Sequence, residues 1–157
     1  MKASSISEIK QELQNISSKE IMELCLRLAR FKKENKELLT YLLFEAHDTE
    51  GYITNLKLEI TELFTEVNKT NLYFAKKNLR KILRYINKHI KYISNKHAEA
   101  TLLIHFCIQL KTSGVNVKKS TQLQNLYTQQ IKKIRAAIQT LHEDLQYDMM
   151  KELEMIE

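Results

Sequence analysis

The chain has 157 residues, no proline, two glycines (Gly51 and Gly114), and 25 Lys/Arg against 19 Asp/Glu, a formal net charge of +6. One domain of this size can bury a core without disulfides or metals. The near absence of helix breakers and of hairpin-type Asn-Gly or Asp-Gly turns argues against all-β and α/β folds and for an all-α one.

The first helix is expected from Ser5, which forms a capping box with Glu8 ahead of Ile6, Ile9, Leu13 and Ile16. A second capping box, Ser17 with Glu20, opens a helix with Ile21, Leu24, Cys25 and Leu28 on its core face. The polar residues 32–35 turn the chain. After them comes the densest apolar run, residues 38–44, and a run apolar on most faces is expected inside a bundle. Residues 48–51 read as the clearest loop of the first half. Beyond it, Ile53, Leu56, Ile60, Leu63, Phe64 and Val67 form a helical stripe, and residues 68–71 a short turn. A fifth helix buries Leu72, Ala75, Leu79, Ile82, Leu83, Ile86, Ile90 and Ile93. Asn95 caps a sixth that is apolar nearly all round and ends at Gly114.

Ser120 or Thr121 starts the last helix, and no proline or glycine interrupts it before the C-terminus. About 35 residues at 1.5 Å each give a helix of roughly 50 Å, longer than a compact bundle needs. Its end is expected to project or to pack on another subunit, which makes a homodimer through this helix one expectation. Six or seven antiparallel helices in one domain, 1–157, fit a bundle or a short αα-superhelix of HEAT type.

Charge is segregated along the chain. Residues 1–66 carry nine Lys/Arg and twelve Asp/Glu, residues 67–142 fifteen and one (Glu99), and residues 143–157 one and six. A polyanion would bind the middle. In the fifth helix Lys77, Lys81, Arg84, Lys88 and Lys91 step by four and three into one stripe, with Lys96 beyond it and Tyr85 and Tyr92 beside it. Basic stripes with aromatic platforms suit single-stranded nucleic acid. The simpler reading is a solvated face, part of it answered by Glu59, Glu62 and Glu66 across the turn. The basic start and acidic end of the last helix also oppose its macrodipole, so the acidic end is expected to meet positive charge elsewhere.

Catalytic and cofactor signatures are missing. His142-Glu143 lacks the second histidine of HExxH, no Glu-x-x-His occurs, and Cys25 and Cys107 are too far apart for a zinc knuckle. No metal or cofactor is therefore expected. The thiols read as small buried hydrophobes of a reducing compartment. No run reaches the ~20 apolar residues of a membrane span, and the amphipathic N-terminus lacks a signal-peptide core. A cytoplasmic protein with no membrane contact is expected. One further constellation is a polar stripe on the sixth helix, His97, Thr101, His105 and Gln109, which either lines a ligand pocket or is that helix's wet edge.

The segment LARFKKENKELLTYLLFE, residues 28–45, resembles one found in uncharacterised bacterial all-helical proteins. The resemblance implies a helical layout and no activity. The leading expectation is a non-enzymatic binding or scaffold protein whose basic middle engages nucleic acid or an acidic protein surface. The rival is a small-molecule-binding or enzymatic bundle using the His97–Gln109 face.

Overall fold

The computed structural model describes residues 1–157 and is all-helical, with eight α-helices and no strand. These are α1 (Ile6–Gln14), α2 (Ser18–Phe31), α3 (Lys33–Thr40), α4 (Thr49–Thr65), α5 (Leu72–Ile93), α6 (Lys96–Thr112), α7 (Thr121–Ile138) and α8 (Glu143–Glu154). Only Lys32, in extended conformation, parts α2 from α3. No helix is long and apolar enough to cross a membrane. The chain divides into two compact units, residues 1–44 and 45–157, each described by itself below.

In the first unit both capping boxes form as the sequence implies. Ser5 and Ser17 accept from the backbone of Glu8 and Glu20, and the two carboxylates reach back to the serine backbone N–H groups at 2.7 and 2.8 Å. Those backbone bonds, helped by the serine hydroxyls, hold both carboxyls below the usual carboxylate value. Asn35 Nδ2 donates to the Leu28 carbonyl at 2.9 Å and pins α3 to α2. The apolar run at 38–44 departs from expectation. Tyr41 is buried, but Leu42, Leu43 and Phe44 are exposed. A π-helical turn spans Tyr41–Glu45, so successive side chains fan around the axis and only one direction is covered. Cys25 is half-buried, whereas Cys107 in the second unit is fully buried, with its thiol pushed up to about 12 by desolvation.

The second unit is built on α6. Its residues Ala98, Ala100, Leu102, Leu103, Ile104, Phe106, Cys107 and Leu110 are all buried, and α4, α5, α7 and α8 all pack on it. Phe64 of α4 meets Phe106 with ring centroids 5.4 Å apart. Each helix around α6 turns a stripe inward, including Ile53, Leu56 and Ile60 of α4, Leu79, Ile82 and Ile86 of α5, and Leu123, Ile134 and Ile138 of α7. This is the all-round apolar helix surrounded by one-sided ones that the sequence pattern implies.

Two connections differ from the sequence reading. Residues 48–51 are no loop. Asp48 caps α4 through a 3.0 Å bond from the Gly51 backbone N–H, and Gly51 lies in the first helical turn. A Cβ at Gly51 would come within 2.2 Å of Asp48 Oδ2, so the glycine makes room for the cap.

The long C-terminal helix is the larger correction. The chain leaves helical form after Ile138 and restarts at Glu143, with His142 Nδ1 accepting from the Asp144 N–H at 3.4 Å. Gln146 Nε2 reaches back to the Leu141 carbonyl at 2.7 Å and the Gln139 carbonyl at 3.3 Å, satisfying acceptors that the break exposes. α8 then packs on α7 and α6 and buries Met149 and Leu153, with Ile156 just beyond it also buried, while Leu145 stays exposed. The apparent conflict with the macrodipole disappears, because Arg135 ends α7 and Glu143 and Asp144 begin α8. The acidic terminus meets positive charge within the chain, where Arg135 pairs with Glu157. Tyr127 also bonds the Ile156 carbonyl, at 2.5 Å. The overlong helix that motivated a homodimer is therefore absent.

Candidate functional site

α5 and α7 both pack on α6, and a groove of about 850 Å³ lies between them. Helical spacing builds its walls. Tyr73, Lys76, Lys77, Arg80, Leu83, Arg84 and Asn87 recur at three and four residues along one face of α5. Opposite them, Gln122, Asn125, Leu126, Gln129, Gln130 and Lys133 form one face of α7. The walls thus hold five cations, five amides and no acid. Lys76 bonds to Gln122 and lies 5.8 Å from the centre of the Tyr73 ring. Lys77, Arg80, Arg84 and Lys133 have no ion-pair partner. Gathering unpaired cations costs electrostatic free energy, and it concentrates positive potential in the groove.

Gln130 is the one buried polar residue of the chain, 4% exposed. Its Nε2 donates to the Leu126 carbonyl one turn back, at 3.1 Å, and its Oε1 is left without a partner. Because only the amino end can serve that carbonyl, the orientation of the amide is fixed.

A second depression continues from Asn87 and Lys133, which line both, along Ile90, Lys91, Ser94, Asn95, Lys96 and Glu99. Here Lys96 is paired with Glu99 at 2.7 Å. The combined channel follows α5 for most of its length, about 30 Å for 22 residues.

Of the residues that the sequence singled out, Lys77 and Arg84 line the groove, and Lys91 and Lys96 its extension. Lys81 is exposed and lines neither. Tyr85, Lys88 and Tyr92 are engaged elsewhere. Tyr85 donates to Glu59 and packs tilted against His89 with centroids 4.5 Å apart, and Lys88 Nζ lies 5.8 Å from its ring centre. Tyr92 is buried, edge-on to His89, whose Nδ1 lies 2.6 Å from the Tyr52 hydroxyl. Tyr92 is buried and Tyr85 half-buried, and neither lines the groove or its extension. No ion pair joins Lys77 or Lys81 to Glu59, Glu62 or Glu66. Sequence reasoning missed Tyr73, Lys76, Arg80, Lys133 and the amide row. The signal available for them was the matching face of α7, where Gln122, Asn125, Gln129 and Lys133 recur at helical spacing.

The polar stripe of α6 has a different placement. His97, Thr101, His105 and Gln109 are half-buried, and none lines the groove or its extension. His105 Nε2 lies 3.0 Å from both the Lys57 carbonyl and the Thr61 hydroxyl, stitching α6 to α4. Burial lowers its pKa, with the Lys57 charge adding to the effect against the bond to the Lys57 carbonyl. A histidine depressed in the fold is neutral there at a pH where the unfolded chain is protonated. Its contribution is full above the unfolded value near 6.5 and is lost as pH falls below it. His105→Gln should flatten the fall of the melting temperature as pH drops below about 6.5. An unchanged slope would remove His105 as its source.

No three His, Cys, Asp or Glu side chains come together as a metal site. No family model, curated protein or solved structure matches the chain.

Proposed function

We propose that this is a non-enzymatic binding protein whose α5–α7 groove takes up a nucleic-acid strand. The observation that carries the reading is a concave wall with five cations and no acid, four of them unpaired. Phosphates entering such a groove release counterions and relieve the repulsion stored among the lysines and arginines. The amides between the cations suit sugar and base edges, which an acidic protein helix does not offer. A channel of about 30 Å also falls in the range of a short single-strand site, ~4–16 nucleotides.

Fluorescence anisotropy of labelled mixed-sequence oligonucleotides against salt tests this. With about five phosphates engaged, log affinity should fall with log salt at a slope near −3.5, roughly 100-fold between about 50 and 200 mM. Undetectable binding at the lowest salt overturns the proposal. Displacement by polyglutamate as readily as by oligonucleotide would reassign the groove to an acidic protein.

A further inference from the structure

We propose that the first unit, residues 1–44, pairs two copies of this chain through the exposed apolar face that α1 and α2 share. The pairing does not rest on the α5–α7 groove, and it involves neither α7 nor α8.

The face is too apolar for a surface left in water. Among residues 1–44 only Tyr41 is buried, and the hydrophobic core contains none of them. Ile6, Ile9, Leu13, Leu24 and Leu28 are instead 36–82% exposed. Ile9, Leu13, Ile16 and Leu24 line an open cleft of about 350 Å³. On α2 the row Ile21, Cys25 and Ala29 is half-buried, and the row beside it, Leu24 and Leu28, is exposed. A helix apolar over two neighbouring rows takes neighbours on two sides. A unit of about 40 residues with so little core needs a further surface to pack on. Both helices are already set by their capping boxes, so pairing orders little new chain.

Charge selects the occupant. The cleft also carries Glu8 and Glu12. Glu8 is committed to its capping box, and Glu12 has no ion pair. These acids oppose an anionic lipid surface, for which interfacial helices carry Lys and Arg. The cleft calls for an apolar helix row flanked by a base, and α2 itself supplies one. Arg27 follows Leu24 by three residues on the helix surface, exposed and without an ion pair. In a two-fold pairing each copy's Leu24–Leu28 row enters the other's cleft, and Glu12 of each copy meets Arg27 of the other. The unit's eight Lys/Arg and six Asp/Glu leave it nearly neutral, so two copies approach without strong repulsion. Two such helices side by side give a footprint about 20 Å square, roughly 400 Å² per copy before corrugation, which suits a dimer of micromolar strength. Phe31 ends α2 outside the cleft, at the edge of the face, where contacts contribute little.

Sedimentation velocity of the full-length, nuclease-treated protein tests the pairing. Between about 1 and 200 µM the mass should rise from 18.6 kDa toward twice that value, with a Kd of about 10 µM. The rise should survive about 0.5 M salt, because apolar contact drives it. Leu24→Gln with Leu28→Gln should weaken the dimer at least about 10-fold, with circular dichroism showing the helices intact. Glu12→Arg and Arg27→Glu should each weaken it about 10-fold, since each sets like charges together twice. An equimolar mixture of those two variants should recover the dimer, because both pairs are then opposite in sign. Should the leucine variant lose helicity, the mixture decides, since it changes only exposed side chains. A wild type that stays monomeric at the highest concentration overturns the proposal, and if it then binds anionic vesicles the face belongs to a lipid surface. A dimer that the leucine changes leave intact overturns the placement on this face. Failure of the mixture to recover overturns the two-fold arrangement.

Discussion

Replacing Arg80, Arg84 and Lys133 together with Gln is expected to weaken oligonucleotide binding about 100-fold near 0.1 M salt and to reduce the salt slope by about two. These three line the groove and have no ion-pair partner, so their replacement breaks no ion pair within the fold. Glutamine keeps a polar side chain of good helix propensity, and like charges are separated rather than gathered. The melting temperature should therefore stay constant or rise slightly, as happens when a site built for binding rather than stability is relaxed. The control has the same net charge. Lys69, Lys81 and Lys132 are exposed and line neither depression, so changing these three to Gln should alter affinity less than about fivefold. Lys81 makes the comparison sharp, because it belongs to the stripe drawn from sequence but not to the groove. Equal losses in the two triple variants would mean that net charge, not the groove, drives binding.

What the sequence could and could not convey follows from the range of each signal. Capping boxes at Ser5 and Ser17, Asn95 ahead of α6 and Gly114 after it are local chemistry, and all stand where their residue types place them. The apolar stripes of α4 and α5 and the central position of α6 were legible for the same reason. The α7–α8 break was not. It uses neither proline nor glycine, but a histidine cap at 142 and a glutamine at 146 reaching back over five and seven residues.

The groove was half legible. Charge segregation pointed to α5, and Lys77 and Arg84 line the site. Its exact face was lost because residues 80 and 81 point about 100° apart on a helix, and only the neighbour across the gap decides which of the two matters. That neighbour is α7, more than forty residues away in sequence. Tyr85 and Tyr92 misled because an aromatic beside lysines can stack on a ligand or pack inward, and spacing alone does not separate the two.

Phe106→Ala is expected to be the most damaging single substitution, costing about 3–5 kcal/mol. Phe106 is fully buried in α6, and its ring meets Phe64 of α4. The loss combines transfer of the ring, the cavity left behind and the aromatic pair, which is worth ~1 kcal/mol beyond its area. Against a total stability of about 5–15 kcal/mol this is a large fraction, and the melting temperature should fall by roughly 10 °C. Phe31→Ala provides the contrast within one residue type. Phe31 is 76% exposed, and its removal should change stability by no more than about 0.5 kcal/mol. Similar losses at both positions would contradict the placement of the core. Because α6 supports both walls of the groove, Phe106→Ala should also lower binding, but only as the folded fraction falls on warming. In the cold, where the variant is still folded, its affinity and salt slope should approach those of the wild type. The groove variant should show the reverse, with a full melting temperature and weak binding at every temperature. Together the two substitutions separate residues that hold the groove open from residues that contact what enters it.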